Sequence, residues 1–92
     1  MIRSCKDKDT QALLEGRAVR RFAPLRNQIE KRLRILEAAD SLDALRLLPS
    51  NRFEALGGNR KGQYSIRVND QWRLCFRWED GAAEDVEITD YH

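Results

Sequence analysis

The chain has 92 residues, of which 41% are hydrophobic and 35% charged, and its formal net charge at pH 7 is +2. This length suits one domain, residues 1–92, that buries roughly 60–65% of the unfolded chain's surface. No apolar run approaches the roughly 18 residues of a membrane span, and the first residues lack the apolar centre of a signal peptide. We therefore expect no membrane association and a cytoplasmic location.

Charged residues are unevenly distributed along the sequence. Basic residues dominate from Arg17 to Arg77, whereas Glu79–His92 contains six acidic residues and neither Lys nor Arg. A basic surface of this kind favours nucleic acid or an acidic protein as a partner. Cys5 and Cys75 stand far apart, and with one histidine they cannot supply the four ligands of a zinc site. We expect neither a metal ion nor a cofactor.

The N-terminal residues predict two short elements. Ile2–Cys5 has the composition of a short edge strand. Asp9–Glu15 predicts a helix that Asp9 or Thr10 caps and that ends at Gly16.

The longest predicted helix spans Pro24–Asp40 and follows a basic connection, Arg17–Phe22. Apolar residues recur along it with the spacing of one helical face. These are Leu25, Ile29, Leu33 and Leu36. Basic residues occupy much of the remaining surface, namely Arg26, Lys31, Arg32 and Arg34. Ser41 is then a candidate cap for a shorter helix that Pro49 terminates, so the first half of the chain is predicted to be helical.

Strict alternation of apolar and polar residues between Gln63 and Trp78 predicts a β-hairpin. One face is apolar, with Tyr64, Ile66, Val68, Trp72, Leu74, Phe76 and Trp78. The other face carries Ser65, Arg67, Arg73, Cys75 and Arg77. Residues that pair directly across a hairpin share a face. A three-residue loop, Asn69–Gln71, satisfies this rule, because it pairs Ile66 with Leu74 and Arg67 with Arg73.

Two further strands are predicted beside the hairpin. Phe53–Leu56 precedes it, and Glu84–Tyr91 follows it with Val86 and Ile88 facing the core. The phase of the last strand allows a register that pairs Phe76 with Val86, Leu74 with Ile88 and Arg73 with Thr89. Helices followed by antiparallel strands predict an α+β fold, with the helices on one face of the sheet. The face that carries Arg67 and Arg73 is expected to be open.

This arrangement would bring Arg73, Tyr91 and His92 together. A guanidinium can hold a phosphate bidentately and stabilise charge that accumulates on its oxygens. A Tyr or His can transfer the protons of an attacking 2′-OH and a leaving 5′-oxygen. The group therefore suits metal-free cleavage of RNA, although arginines on a strand face are more often only solvated.

The loop Gly57–Gly62 lacks the spacing of a nucleotide-binding P-loop. Its Arg60 and Lys61 could grip a phosphate, or the loop could be a simple connection between strands. Cys75 shares a face with Arg73, but no second histidine supports a Cys–His nucleophile, so we interpret it as a bystander.

The run Asn59–Phe76, with the closing residues Asp90, Tyr91 and His92, resembles HigB-type toxins of the RelE/ParE superfamily, particularly their GraT-like branch. The resemblance covers nearly the whole chain. It implies a RelE-like fold of two or three N-terminal helices packed on one face of a small curved antiparallel sheet. It also implies a ribosome-dependent mRNA endonuclease that inhibits translation and arrests growth, using 2′-OH transesterification without a metal.

The resemblance implies site residues and partners as well. Arg73 would stabilise the phosphate, and Tyr91 and His92 would complete the active site. The loop and the strand face themselves make Arg60, Lys61 and Arg67 the candidate RNA-binding residues. The implied partners are the ribosome, mRNA and a HigA-type helix-turn-helix antitoxin. Through the antitoxin, the toxin would associate indirectly with operator DNA.

Two positions depart from the family pattern. Where the family's ribonuclease type has a His and a Lys, this chain has Glu54 and Gly57, and neither supplies positive charge. Weak cleavage that relies on Arg60 and Lys61 is one consequence. A weakly catalytic or non-catalytic toxin that acts through its basic surface, for example on ribosome assembly, is the alternative. Gyrase poisoning, known elsewhere in the superfamily, fits the terminal Tyr91 and His92 less well.

Overall fold

Three helices precede four strands in the computed structural model, which describes residues 1–90. The helices are α1 (Lys8–Leu14), α2 (Arg26–Ala38) and α3 (Leu42–Arg46). The strands are β1 (Glu54–Ala55), β2 (Gln63–Arg67), β3 (Arg73–Glu79) and β4 (Ala82–Thr89). Short 3-10 turns occupy Arg20–Leu25, Pro49–Asn51 and Gly58–Arg60. The predicted α+β class is confirmed. None of the helices in the described range is long and apolar enough to cross a bilayer.

The sheet is antiparallel, with the strand order β1-β2-β3-β4. The predicted hairpin register is confirmed, since Ile66 pairs with Leu74 and Arg67 pairs with Arg73. In the three-residue loop, the Asn69 side-chain oxygen accepts hydrogen bonds of 2.8 Å from the backbone N–H groups of Gln71 and Trp72. The Asn69 side chain therefore supplies the acceptor for both of these loop N–H groups.

The register between β3 and β4 agrees with the prediction only at one end. Leu74 pairs with Ile88 and Arg73 pairs with Thr89 as expected. Beyond them a bulge intervenes, where Asp85 has a φ of 53°. The predicted pairing of Phe76 with Val86 is therefore absent from the ladder, because the bulge inserts an extra residue into β4.

The helix boundaries differ from the prediction at α1 and α2. The cap of α1 is Asp7, whose carboxylate accepts the Thr10 N–H at 2.7 Å, so the predicted caps are wrong. The Thr10 hydroxyl is instead buried and accepts the Ile88 N–H at 3.2 Å. Pro24 lies in a 3-10 turn, and α2 begins only at Arg26. The Ser41 cap of α3 is confirmed, at 3.1 Å from the Ala44 N–H.

The core lies between the helices and one face of the sheet. The predicted apolar stripe of α2 is buried there, except that Leu25 is only partly buried. The central members of this core are Phe22, Ile29, Leu33, Leu36, Leu45, Ile66, Leu74, Phe76, Val86 and Ile88. The strand predicted at Ile2–Cys5 does not form as a continuous element. The structure has two isolated parallel bridges there, from Ile2 to Ala83 and from Cys5 to Val86.

Arg32 does not lie on the solvated surface of α2 where the sequence pattern placed it. Its side chain is buried, and its guanidinium donates to the Asn51 side-chain oxygen at 2.8 Å. The Asn51 amide in turn donates to the Leu45 carbonyl at 3.0 Å. Burial, and secondarily the charge of Arg67, lowers the pKa of Arg32. These contacts tie α2 and α3 to the chain that enters β1.

We predict that Asn51→Ala lowers the free energy of unfolding by about 2–3 kcal/mol, because it removes both hydrogen bonds and leaves a buried guanidinium under-satisfied. Urea unfolding followed by circular dichroism measures the change. Asn59→Ala, at an exposed loop position, is the matched control and should change the stability by less than about 0.5 kcal/mol. Equal effects of the two substitutions would contradict a structural role for Asn51.

Candidate active site

Arg73 lies on the sheet face opposite the helices, but its side chain is not open to solvent. The residue is 9% exposed. Its Nε donates to the Ser65 hydroxyl at 2.8 Å, and its Nη2 donates to the Arg52 carbonyl at 2.5 Å. The prediction of an open face is therefore wrong at Arg73. A charged group can remain buried here because each of these contacts satisfies one of its donors.

Arg52 owes its contact with Arg73 to an unusual backbone conformation. Its φ is 43° and its ψ is 52°, in the left-handed region that non-glycine residues seldom adopt. The residue follows the 3-10 turn Pro49–Asn51 and precedes β1. Reversal of the backbone at this point lets the Arg52 carbonyl reach a side chain of β3. Backbone strain of this kind is typical of functional sites and costs on the order of 1–3 kcal/mol.

Glu54 brings a negative charge to Arg73. Its carboxylate lies 3.7 Å from Arg73 Nη1, and its side chain is 55% exposed. This is one of the two positions at which the resemblance noted from the sequence implies a cation. At this position the chain therefore places a negative charge, instead of a positive one, beside Arg73.

Arg60 reaches across the polar face of the sheet from the glycine-rich loop. Its Nη1 donates to Glu87 at 2.6 Å and to Gln63 at 3.1 Å. Its Nη2 lies 3.5 Å from the Thr89 hydroxyl. Because Thr89 pairs with Arg73 in the ladder, the Arg60 guanidinium lies over the same end of the sheet as Arg73. Glu87 holds it there.

The remaining predicted cations have different surroundings. Arg67 forms an ion pair with Asp70 of the hairpin loop, so the like-charge pairing of Arg67 with Arg73 is relieved on both sides. Lys61 is exposed, and within residues 1–90 its side chain forms neither an ion pair nor a hydrogen bond. The structure thus places Arg60, Arg67 and Arg73 on one face of the sheet and Lys61 at the loop beside it.

Tyr91 and His92 lie outside the described residues. The strand that leads to them ends at Thr89, which is opposite Arg73. Asp90 then accepts a hydrogen bond of 3.0 Å from the Gln71 side chain. In residues 1–90, no group of three or more His, Cys, Asp or Glu side chains could hold a metal ion.

Cys75 lies beneath this polar face and is fully buried. Burial is the main cause that raises its thiol pKa to about 11 from an ordinary value of 9.0. The nearby Arg60 and Arg73 oppose this shift but do not overcome it. The thiol is therefore protonated at neutral pH, in agreement with its interpretation as a bystander.

Sequence reasoning missed most of the groups that hold the arginines. Ser65 and Glu87 had a usable signal, since strand alternation places both on the face of Arg73. The Arg52 carbonyl had none, because nothing in the residue type indicates left-handed backbone. Nor did the spacing of Glu54 to Arg73 indicate a contact between them.

Comparison with known proteins agrees with this architecture. The family model of HigB-like toxins, described as the RelE-like toxin of a type II toxin–antitoxin system, matches residues 6–92. The chain belongs to this family. It is 46% identical to Toxin HigB-1 of Vibrio cholerae, over 85% of this chain and 84% of that protein. It is 31% identical to Endoribonuclease HigB of Proteus vulgaris, over the full length of both.

Solved structures show the same fold at low sequence identity. A YafQ mutant from E. coli superimposes with a TM-score of 0.65 at 16% identity, over 98% of this chain and 93% of that one. The YoeB-YefM complex from Staphylococcus aureus gives a TM-score of 0.62 at 17% identity, over 100% and 98% of the two chains. The helices and sheet of this HigB-like toxin are therefore RelE-like.

We predict that Cys75 resists thiol reagents in the folded toxin. In a Cys5→Ser variant, Cys75 is the sole thiol, and at pH 7.5 it should react at least about 100-fold more slowly than a free thiol, since reaction requires an exposed thiolate. Ellman's reagent measures the rate, and urea should restore full reactivity. Fast reaction of the folded protein would show that the polar face opens more readily than its packing indicates.

Proposed function

We propose that this HigB-like toxin is a ribosome-dependent endoribonuclease that cleaves mRNA without a metal ion. The observation that carries the proposal is the Arg73 guanidinium, which Ser65 and Arg52 fix beside the end of β4. A fixed guanidinium stabilises developing phosphate charge with little reorganisation. The full-length similarity to Endoribonuclease HigB of Proteus vulgaris supports RNA as the substrate.

In the proposed reaction, the 2′-oxygen of one nucleotide attacks the adjacent phosphorus and the bond to the 5′-oxygen breaks. Tyr91 and His92 would accept the 2′-OH proton and donate a proton to the leaving 5′-oxygen. The product carries a 2′,3′-cyclic phosphate, which water can open to a 3′-phosphate. Arg73 would hold the non-bridging oxygens throughout.

The cations around Arg73 would bind the RNA backbone. Lys61 is exposed and is available to a neighbouring phosphate. Arg60 and Arg67 are partly exposed and already oriented by Glu87 and Asp70. Charge of this kind fixes the position of the RNA without reading its sequence.

A second candidate function is inhibition without cleavage, through the basic surface and on a target such as ribosome assembly. The contact between Glu54 and Arg73 favours it, because it partly neutralises the proposed catalytic cation. Gly57 supplies no replacement charge. Mapping of mRNA ends after incubation of ribosomes with the pure toxin separates the two functions, since only the endonuclease produces cuts at defined codon positions.

We propose a HigA-type helix-turn-helix antitoxin as the partner, and through it an indirect association with operator DNA in the cytoplasm. A groove of about 490 Å³ between α1 and α2 is the proposed docking surface. Its lining includes Leu13, Leu14, Leu33 and Ala38, with Glu30, Arg34 and Glu37 among its charged residues. The groove lies on the helical side of the sheet, so an antitoxin bound there would leave Arg73 uncovered.

We predict that Arg73→Ala lowers mRNA cleavage by about 100-fold or more, the usual cost of removing a donor that stabilises transition-state charge. Cleavage of a defined mRNA on purified ribosomes measures the loss. Arg73 is buried and hydrogen-bonded, so its replacement could also destabilise the fold. Arg73→Lys is therefore a second variant, which keeps the positive charge but loses the planar, two-pronged arrangement of N–H donors. Thermal unfolding checks that both variants are folded. Arg77→Ala is the matched control, an exposed arginine of the same strand face. A folded Arg73→Ala protein with parental activity would falsify the catalytic assignment.

We predict that Leu14→Asp weakens antitoxin binding by about tenfold or more, because it buries a charge in an apolar contact. Leu47→Asp is the control, since Leu47 is 80% exposed and lies outside the groove. Co-purification with the antitoxin and titration calorimetry measure binding, while ribosomal cleavage by the isolated toxin should be unchanged. Equal binding by both variants would place the antitoxin elsewhere.

A further inference from the structure

The bonds of Arg73 leave one part of its guanidinium for a ligand. A guanidinium carries five N–H donors. Ser65 takes the Nε donor and the Arg52 carbonyl takes one Nη2 donor. Nη1 is the nitrogen that neither of these bonds uses. A phosphate that approaches Arg73 must therefore bind mainly at Nη1 and the second Nη2 donor.

Glu54 occupies this approach. Its Oε1 is the carboxylate atom 3.7 Å from Nη1. That separation corresponds to a loose ion pair rather than a short charge-assisted hydrogen bond. The Arg73 side chain is 11% exposed and the Glu54 side chain 55% exposed, so a solvent-accessible carboxylate lies beside the buried cation at Nη1.

The position of Glu54 allows its carboxylate to move. The residue belongs to the two-residue strand β1, at the edge of the sheet. Ion pairs with a partner this exposed contribute little to stability. The side chain can therefore rotate into water when a stronger anion arrives, whereas Ser65 and the Arg52 carbonyl cannot.

We infer that Glu54 is a competing anion that limits phosphate binding at Arg73. The inference rests on the proposed function, since it assigns Arg73 a phosphate ligand. A bound RNA phosphate displaces the Glu54 carboxylate from Nη1 and then remains close to its negative charge. Glu54 thus attenuates the toxin through a residue within its own site, and removal of the charge makes the toxin stronger.

A carboxylate beside a phosphate-binding arginine has one other chemical role, as the base that accepts the 2′-OH proton. The two roles predict opposite results. Loss of a competing anion increases both phosphate affinity and cleavage, whereas loss of a base reduces cleavage.

The test compares Glu54→Gln with the parent toxin. We expect Glu54→Gln to bind inorganic phosphate about three- to tenfold more tightly and to cleave ribosome-bound mRNA with a kcat/KM about three- to tenfold higher, the effect of one partly screened charge. Nuclear magnetic resonance titration with phosphate measures affinity. Glu84→Gln is the matched control, because Glu84 is also loosely paired with an arginine, Arg3, at 3.5 Å and lies toward the end of β4 that is remote from Arg73. It should change neither quantity.

Two further measurements locate the effect. The gain should shrink as the salt concentration rises, since the competition is electrostatic. It should also vanish in an Arg73→Gln background, because the two side chains act on one ligand site.

Each result decides the inference. Unchanged phosphate affinity in Glu54→Gln, or a loss of cleavage, would overturn it, and a loss would indicate the proton-accepting role. If neither the parent nor Glu54→Gln cleaves mRNA on ribosomes, the proposed function fails. The phosphate titration still decides whether Glu54 competes at Arg73.

Discussion

The buried guanidinium of Arg73 is the constraint on which the polar side of this toxin depends. A cation on a central strand can be desolvated only where fixed acceptors surround it. Ser65 supplies one acceptor from β2, and the Arg52 carbonyl supplies another from outside the sheet. The left-handed conformation of Arg52 meets this requirement, since its carbonyl accepts a hydrogen bond from Arg73 of β3.

The helical side of the molecule supports that arrangement from a distance. Arg32 of α2 reaches Asn51, the residue immediately before Arg52, and Asn51 is bonded to the Leu45 carbonyl. Helix packing is thereby connected to the backbone that holds Arg73. The groove proposed for the antitoxin lies on the same helical side, so the proposed partner surface and the candidate active site are on opposite faces of one sheet.

Alternation predicted most of the fold because the hydrophobic core permits only one phase of each strand. The pairing of Ile66 with Leu74 and of Arg67 with Arg73 followed from that rule alone. The bulge at Asp85 and the burial of Arg32 could not be predicted, because they depend on tertiary contacts that polarity patterns do not encode. Within the candidate site, Arg73 could be placed from sequence, whereas its contacts with Arg52 and Glu54 could not. They depend on the left-handed backbone at Arg52 and on the register of the two-residue strand β1, which residue types do not determine.

The contacts of Arg73 also set a limit on its chemistry. Each acceptor that holds a buried guanidinium uses one of its five N–H donors, which is then not available to a substrate. An arginine fixed in this way therefore has fewer donors left to bind a phosphate. Ser65 and Arg52 bind it from within the fold and orient it, while Glu54 binds it from the solvent side, where a phosphate would arrive. Orientation and attenuation are therefore separable in this site. The first resides in neutral acceptors within the fold, and the second in the single exposed charge of Glu54.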